Sequence, residues 1–311
     1  MSPLDLDSLA NSKMALRIVQ GIGRSTPTSV GHRLAEATAD AVSTNRSMGL
    51  VRAVRLNQWV VSGGALLGRE LDDQVKLTLR TIARSIFDLY HLLDDEDALR
   101  DAITLTPVAA EWLQRSHVEA VVFAALHMGN FDLAGRALAL RGLRAQVLSV
   151  PDPTDAYRHQ NDLRRQVGLD VTPISGTTLR DAARRLESGC SVLTGVDRAL
   201  ARGKRPLTFF GRPALLPDVH VRLAAHSGAP LFAIWVTGSG PGSYEVDGAE
   251  IEIMPGRDSD RTVENAERVL AVAEKVIAGK PNEWAMPHAV WPEAFDELDR
   301  IEAGGAAVSV G

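Results

Sequence analysis

Short apolar segments alternate with amphipathic segments along the part of the chain that begins at Val118. Apolar runs such as VEAVVFAAL, RAQVLSV and CSVLTGV are separated by segments such as FDLAGRALALRG and TTLRDAARRLESG. Apolar runs of this length indicate buried strands, and the three- and four-residue spacing of the intervening segments indicates helices. Strands joined by helices form parallel sheets. The pattern therefore predicts an α/β fold, with a mostly parallel central sheet flanked by helices.

The preceding part of the chain has a different pattern, with almost no strand signal. Segments such as HRLAEATADAVS and DDQVKLTLRTIARSIFDLYHLL repeat their apolar residues at helical spacing. We therefore expect an N-terminal helical region over residues 1–115, packed as one domain with an α/β catalytic region over residues 116–300. The segment 301–311 is rich in Gly, Ala and Val, and we expect it to be a flexible tail.

One N-terminal segment, MGLVRAVRLNQWVVSGGALLG, combines apolar and basic side chains: Leu50, Val51, Val54, Trp59 and Val60 with Arg52 and Arg55. Such a helix can lie in a membrane surface with its arginines near the lipid phosphates. The alternative is that the same apolar face packs on the catalytic region. Since no apolar run approaches the ~18–20 residues that a spanning helix needs, we expect a protein that is soluble or attached to a membrane only at its surface.

Composition excludes some classes of partner. The formal charge of −5 and pI near 5.9 argue against a nucleic-acid partner, because proteins that bind nucleic acids normally have an excess of basic residues. The only cysteine, Cys190, cannot form an intramolecular disulfide, and its apolar surroundings predict a buried side chain. His220 and His226 have no carboxylate at ligand spacing, so we expect no metal site.

The strongest candidate for chemistry is His127, which directly follows the predicted strand VVFAAL. Ligands of open α/β sheets bind at the carboxyl ends of the strands. The next helix begins in GNFDLAG, so free N–H groups of Gly129 and Asn130 would face such a ligand. Asp132, in its first turn, would orient the imidazole and leave the second ring nitrogen as a general base. The alternative is a loop histidine and a carboxylate that stabilises a helix N-terminus.

The segment HMGNFDLAG resembles the H-x4-D box of the bacterial lysophospholipid acyltransferase superfamily. The similar branch contains lipid A lauroyl/myristoyl acyltransferases and phosphatidylinositol mannoside acyltransferases. Further segments are similar in the same order: NQWVVSGG, GVDRALARGKRPLTFFGRPALLP, LAAHSGAPLFAIWV and PNEWAMPHAVWP. The resemblance implies transfer of a fatty acyl chain from acyl-CoA or acyl carrier protein to a hydroxyl of a glycolipid or lysophospholipid. The thioester is a co-substrate, and no bound cofactor is expected. An enzyme of this kind would be peripheral, at the cytoplasmic face of the cell membrane.

Five further residues are candidates for substrate binding. Asp197 and Arg198 follow the apolar run SVLTG and could face the same cleft, where family members place charged residues near the reaction centre or the acceptor head group; a surface salt bridge is the alternative. Arg212 would grip a phosphate. Phe210 would line an acyl channel or fill the core, and Pro217 ends the similar segment RPALLP.

Two other functions compete with acyl transfer. A hydrolase could use the same His127–Asp132 pair to activate water on a lipid ester or thioester. A catalytically silent relative that binds a membrane or a partner is the other alternative. The intact pair argues against a silent relative, whereas Asp218 argues for one, because relatives usually have a small, glycine-containing turn there. A nucleophilic serine enzyme is disfavoured because the chain has no G-x-S-x-G turn.

Overall fold

The computed structural model describes residues 26–200 and 205–308, which form eleven α-helices and nine strands. The helices are α1 (Thr28–Ser43), α2 (Gly49–Val61), α3 (Gly68–His91), α4 (Glu96–Asp101), α5 (Pro107–Arg115), α6 (Phe131–Leu140), α7 (Asp155–Gln166), α8 (Gly176–Glu187), α9 (Val219–Ser227), α10 (Ser259–Gly279) and α11 (Phe295–Val308). The strands are β1 (Ile103–Leu105), β2 (Val122–Ala125), β3 (Ala145–Ser149), β4 (Asp170–Pro173), β5 (Ser191–Gly195), β6 (Leu207–Phe209), β7 (Arg212–Ala214), β8 (Leu231–Gly240) and β9 (Ser243–Ile251).

Seven strands form one sheet in the order β1-β9-β8-β2-β5-β3-β4, and β6 pairs with β7 in a separate antiparallel hairpin. All neighbouring strands of the large sheet are parallel except β8 and β9. The helices α6, α7 and α8 alternate with its parallel strands. The predicted fold class, a mostly parallel sheet flanked by helices with a helical segment before it, is confirmed.

Both faces of the central strand β2 are covered, which explains its continuous apolar sequence. Val122 and Ala124 belong to a core that contains α8, α9 and α10. Phe123, which points the other way, belongs to a second core that contains α5 and α6. The sheet therefore separates two cores, here called the α10 face and the α6 face.

The apolar face of α2 packs inside the protein. Val51, Val54, Trp59 and Val60 are each at most 3% exposed and belong to the core of the α10 face. Arg55 is 5% exposed and forms ion pairs with carboxylates of α3 and α11. The alternative of packing against the catalytic region is thus the correct one, and this face cannot insert into a membrane surface in the folded chain. No helix within the described ranges has the length and hydropathy needed to span a membrane.

Three local expectations were wrong. The strand β1 lies inside the region predicted to be helical, because its three residues pair with β9 at the edge of the sheet. The helix α11 continues to Val308, through most of the predicted tail, and Glu302 in it pairs with Arg55. Cys190 is exposed, because it precedes the first residue of β5 instead of lying inside the strand.

Candidate active site at the carboxyl end of the sheet

Two neighbouring strands end side by side at the edge where His127 lies. The strands β2 and β5 are parallel, and their register pairs Ala125 with Gly195. His127 and Asp197 each follow two residues beyond these partners. Because the strands share direction and register, the two side chains emerge next to each other at the carboxyl end of the sheet.

The carboxylate of Asp197 holds His127 at two points. Its Oδ1 atom lies 2.6 Å from Nδ1 of the imidazole, and its Oδ2 atom accepts from the backbone N–H of His127 at 2.9 Å. The indole of Trp284 also donates to Oδ2, at 2.8 Å. With Nδ1 bonded in this way, the orientation of the ring is set and Nε2 is left for a substrate.

The carboxyl group of Asp197 is ionised although its side chain is completely buried, with 0% of it exposed. Burial alone would raise the pKa of this carboxyl group. The charge of His127 and the hydrogen bonds from His127 and Trp284 outweigh burial and hold the pKa below its ordinary value. The pair is thus a buried carboxylate beneath an imidazole that is 18% exposed.

Two glycines, one at the end of β5 and one in the loop after β2, make room for this arrangement. A Cβ atom at Gly195 would lie 2.7 Å from Cε1 of His127, so the imidazole packs directly against the backbone of β5. Gly129 has a φ of +52°, and a Cβ atom there would lie 2.7 Å from the carbonyl oxygen of Val236. The N–H of Gly129 donates to the carbonyl of Glu283 at 2.8 Å and is not free for a ligand, contrary to the prediction.

Asp132 does not hold the imidazole, which corrects the predicted partner of His127. Its Oδ1 atom accepts from Nε and Nη2 of Arg164 on α7, at 2.8 and 2.5 Å. The position of Asp132 in the first turn of α6 directs its carboxylate towards α7, whereas Asp197 reaches the imidazole from the adjacent strand. Burial opposes the charge of Arg164, but Asp132 and Tyr157 raise its pKa above the ordinary value. A role for Asp132 in the reaction stays a prediction.

The N-terminus of α6 faces the same site. Asn130 is the N-cap residue: its side-chain oxygen accepts from the N–H of Leu133, and its amide donates to the carbonyl of Ser85. These bonds anchor the buried side chain, so Asn130 supports the loop. The first N–H groups of a helix have no partner inside it, and those of Phe131 and Asp132 occupy this position in α6.

Two spaces meet at His127. An apolar cavity of about 100 Å³ lies between α6 and the sheet. An open groove of about 820 Å³ lies between α2, α3, α7 and the segment before α11. Both spaces are lined by the same five residues at their junction: His127, Phe131, Asp132, Tyr157 and Arg164. A ligand can therefore place an apolar chain in the cavity and a polar portion in the groove, with His127 between them.

The groove carries positive charge close to His127. Arg198 lies on its wall, with its guanidinium carbon 5.4 Å from the ring centre of Tyr157. His288 lies on the opposite segment, and partial desolvation together with the charges of Arg198 and His127 lowers its pKa to about 4. His288 is therefore neutral near pH 7, and Arg198 provides a permanent cation for an anionic group of a substrate.

The structure places three predicted residues away from the groove and the cavity. Arg212 forms a bidentate ion pair with Glu297, in which Nη1 and Nη2 donate to the two carboxylate oxygens at 2.7 and 2.9 Å. Its guanidinium is therefore not free for a phosphate. Phe210 packs at the edge of the α10-face core, with a φ of 50°. Pro217 lies on the connection between β7 and α9. These residues follow β6 or β7, whose hairpin is separate from the large sheet.

Sequence reasoning missed four residues at the site: Gly195, Trp284, Arg164 and His288. The resemblance had included the segments around Trp284 and His288 without giving either residue a role. Gly195 ends an apolar run two residues before Asp197, which is the signal that could have revealed close packing there. Arg164 stands in a helix with two exposed arginines, Arg158 and Arg165, so no local pattern distinguishes it.

The comparisons with known proteins identify the family of the chain. No curated protein gives a significant match to the chain. The family model described as bacterial lipid A biosynthesis acyltransferase matches residues 78–292, well over half of the chain. The matched region contains His127, Asp132, Asp197 and Trp284, and it confirms the resemblance to the lipid A acyltransferase branch. The chain therefore belongs to the bacterial lipid A biosynthesis acyltransferase family and is an acyltransferase of this type.

Proposed function

We propose that the protein moves a fatty acyl chain from a thioester, acyl-CoA or acyl carrier protein, to a hydroxyl of a glycolipid or lysophospholipid. The observation that carries the proposal is the position of His127 at the junction of an apolar cavity and an open groove. A thioester whose chain fills the cavity would present its carbonyl carbon at this junction. A lipid hydroxyl in the groove would approach the same atom from the other side.

In the proposed reaction His127 acts as the general base. Its Nε2 atom takes the proton of the acceptor hydroxyl while the oxygen bonds to the thioester carbon. The tetrahedral intermediate then breaks its C–S bond, and the imidazolium returns the proton to the departing thiolate. Asp197 keeps Nδ1 protonated and stabilises the imidazolium, as its 2.6 Å contact supports. No covalent acyl-enzyme is required.

The oxyanion of the intermediate would be stabilised by the N-terminus of α6. The first-turn N–H groups of Phe131 and Asp132 lie beside His127, and a helix N-terminus favours negative charge. Asn130 and the Asp132–Arg164 ion pair would hold this turn in place. In this role Asp132 positions the oxyanion site and does not orient the base.

Arg198 would bind a phosphate of the donor or of the acceptor. Its guanidinium has no ion pair in the described part of the chain and lies on the groove wall near His127. Phosphates suit a guanidinium because two parallel N–H groups can bind two oxygens. This charge would also align the substrate with the imidazole.

Lipid substrates would enter the groove from a membrane surface. Its rim carries Met48, Leu50, Ile82 and Ile86, and Ile86 is 42% exposed. We expect Ile86→Glu to lower binding to anionic phospholipid vesicles by about tenfold in a flotation assay, since burial of one such side chain contributes roughly that free energy. The control is Val118→Glu, because Val118 is 87% exposed at the opposite end of β2. Equal binding by both variants would contradict entry at this rim.

The central test incubates the purified protein with radiolabelled palmitoyl-CoA, or with labelled palmitoyl carrier protein, and a total lipid extract. Labelled lipid supports transfer, labelled free fatty acid supports a hydrolase, and neither product from either donor contradicts the proposal. His127→Ala should lower transfer by about 10² to 10⁴, the usual contribution of a positioned general base. His226→Ala is the control, because His226 is exposed and lies outside both spaces.

A further inference from the structure

One face of α6 forms a wall of the apolar cavity. Phe131, Ala134, Gly135 and Leu138 line it from the helix side, at the spacing of residues that share one helical face. Phe131 lies at the junction with the groove, and Leu138 lies about two turns further along the helix. The helix axis therefore runs from the mouth of the cavity into its interior.

Gly135 is unusual among these residues, because a glycine inside a helix is unfavourable compared with alanine. Apart from its chain neighbours and its own helix backbone, no heavy atom lies within 4 Å of the place that a Cβ atom would take. Gly31 in α1 is different, since a Cβ atom there would lie 2.0 Å from the ring of Phe87. Packing thus explains Gly31 but not Gly135.

We infer that Gly135 is a specificity-determining residue, and that its missing side chain leaves the space through which a long acyl chain passes. This inference rests on the proposed function. Gly135 lies about one helical turn, roughly 5.4 Å, beyond Phe131 and the junction at His127. A side chain at this position would occupy the cavity close to its mouth, so it would exclude long chains and still admit short ones.

The experiment measures kcat/KM for a series of acyl-CoA donors from butanoyl to stearoyl, with the total lipid extract as acceptor. We expect Gly135→Leu to lower the ratio of palmitoyl to butanoyl activity by more than about tenfold, because even one methylene in an apolar pocket can discriminate by that factor. Gly135→Phe should lower the ratio further, and Gly135→Ala should lower it least. The control, Gly304→Leu, should keep the wild-type ratio, since Gly304 lies on α11 with open space around it.

Two readouts separate this inference from the proposed function. If the wild type transfers no label to lipid, the proposed function fails, but calorimetric binding of the same acyl-CoA series still tests Gly135. If the wild type transfers label and all three Gly135 variants keep its chain-length profile, Gly135 does not set acyl length. Melting temperatures identify any variant that fails to fold, and Gly135→Ala, the smallest change, then decides by the direction of its shift.

Discussion

The two faces of the sheet are packed differently. On the α10 face, Phe209, Trp284 and Trp291 fill the core, with ring centres 5.5 to 6.2 Å apart. On the α6 face, small residues such as Ala134 and Gly135 border an apolar cavity that reaches His127. Empty apolar space forfeits contacts that a packed core would make. The α10 face thus holds Asp197 in place through Trp284, and the contrast supports the proposal that the α6 face receives the acyl chain.

The largest expected effect separates the two carboxylates near His127. Asp197→Asn should lower kcat by at least about 10², because an amide cannot keep the imidazole in the required tautomer or stabilise its charge. Asp132→Asn should lower kcat less, because its carboxylate contacts Arg164 and not the imidazole. Steady-state kinetics, on variants with a cooperative unfolding transition, check the order.

Stability gives a second readout for the same pair. The pKa of Asp197 in the folded chain is depressed, so its contribution to stability is present above its ordinary pKa and is lost as pH falls through the lower folded value. Asp197→Asn should therefore flatten the acid side of the stability profile. For the kinetic comparison of the two carboxylates, the contradicting result is a loss of kcat in Asp132→Asn as large as that in Asp197→Asn. Asp132 would then have a direct part in the reaction.

The next effect compares two arginines. Arg198 faces the groove, and Arg198→Ala should raise KM for a phosphate-bearing substrate by about tenfold, the loss expected for one charge-assisted contact. If the contact also aligns the acceptor, kcat falls too. Arg198→Lys should then lose nearly as much activity as Arg198→Ala, because lysine lacks the planar guanidinium that binds two oxygens at once. Arg212→Ala should leave kinetics unchanged, since Arg212 pairs with Glu297 outside the groove. Equal kinetic losses in both would contradict this division.

The α10 face contains one buried side chain, His220, that lowers the stability of the fold. Its side chain is completely buried and neither ring nitrogen has a hydrogen-bond partner among the described residues, so burial lowers its pKa to about 3. The unfolded chain would protonate near the ordinary value of about 6.5. His220 therefore costs stability as pH falls from about 6.5 to 3, with a slope of up to about 1.4 kcal/mol per pH unit.

We expect His220→Met to raise the free energy of unfolding at pH 7 by about 1 to 3 kcal/mol, the cost of burying unpaired polar atoms. Denaturant unfolding between pH 4 and 7 measures both the gain and the flatter acid slope (about 1.4 kcal/mol per unit at most). A variant that is less stable than the wild type at every pH would show that the imidazole has a partner of its own.

The smallest expected effect is on stability and concerns the cavity on the α6 face. Gly135→Ala should stabilise the fold by about 0.5 to 1 kcal/mol, because alanine loses less backbone entropy and its methyl group meets no neighbour. Gly31→Ala should destabilise it, because the methyl group would overlap Phe87. Thermal unfolding of the two variants checks the contrast, and a loss of stability for Gly135→Ala would mean that the cavity closes around this residue.

Sequence patterns predicted the sheet and the place of His127, because strands and the residues that follow them are local features. The partner of the imidazole depends on strand register, which sets Ala125 beside Gly195 and so brings Asp197 to His127. Asp132 is closer to His127 along the chain, but the direction of its side chain depends on how α6 packs against α7. The same limit applies to Arg212, whose partner Glu297 is distant in sequence.

The most direct measurement is a crystal structure of the wild-type protein with a palmitoyl-CoA analogue whose thioester is replaced by a stable thioether ketone. We expect the acyl chain to lie in the cavity between α6 and the sheet, passing Gly135, with the ketone within hydrogen-bond distance of the α6 N-terminus and next to Nε2 of His127. The contradicting result is a chain bound along Met48, Leu50 and Ile86 in the groove, with the cavity empty and the ketone away from His127.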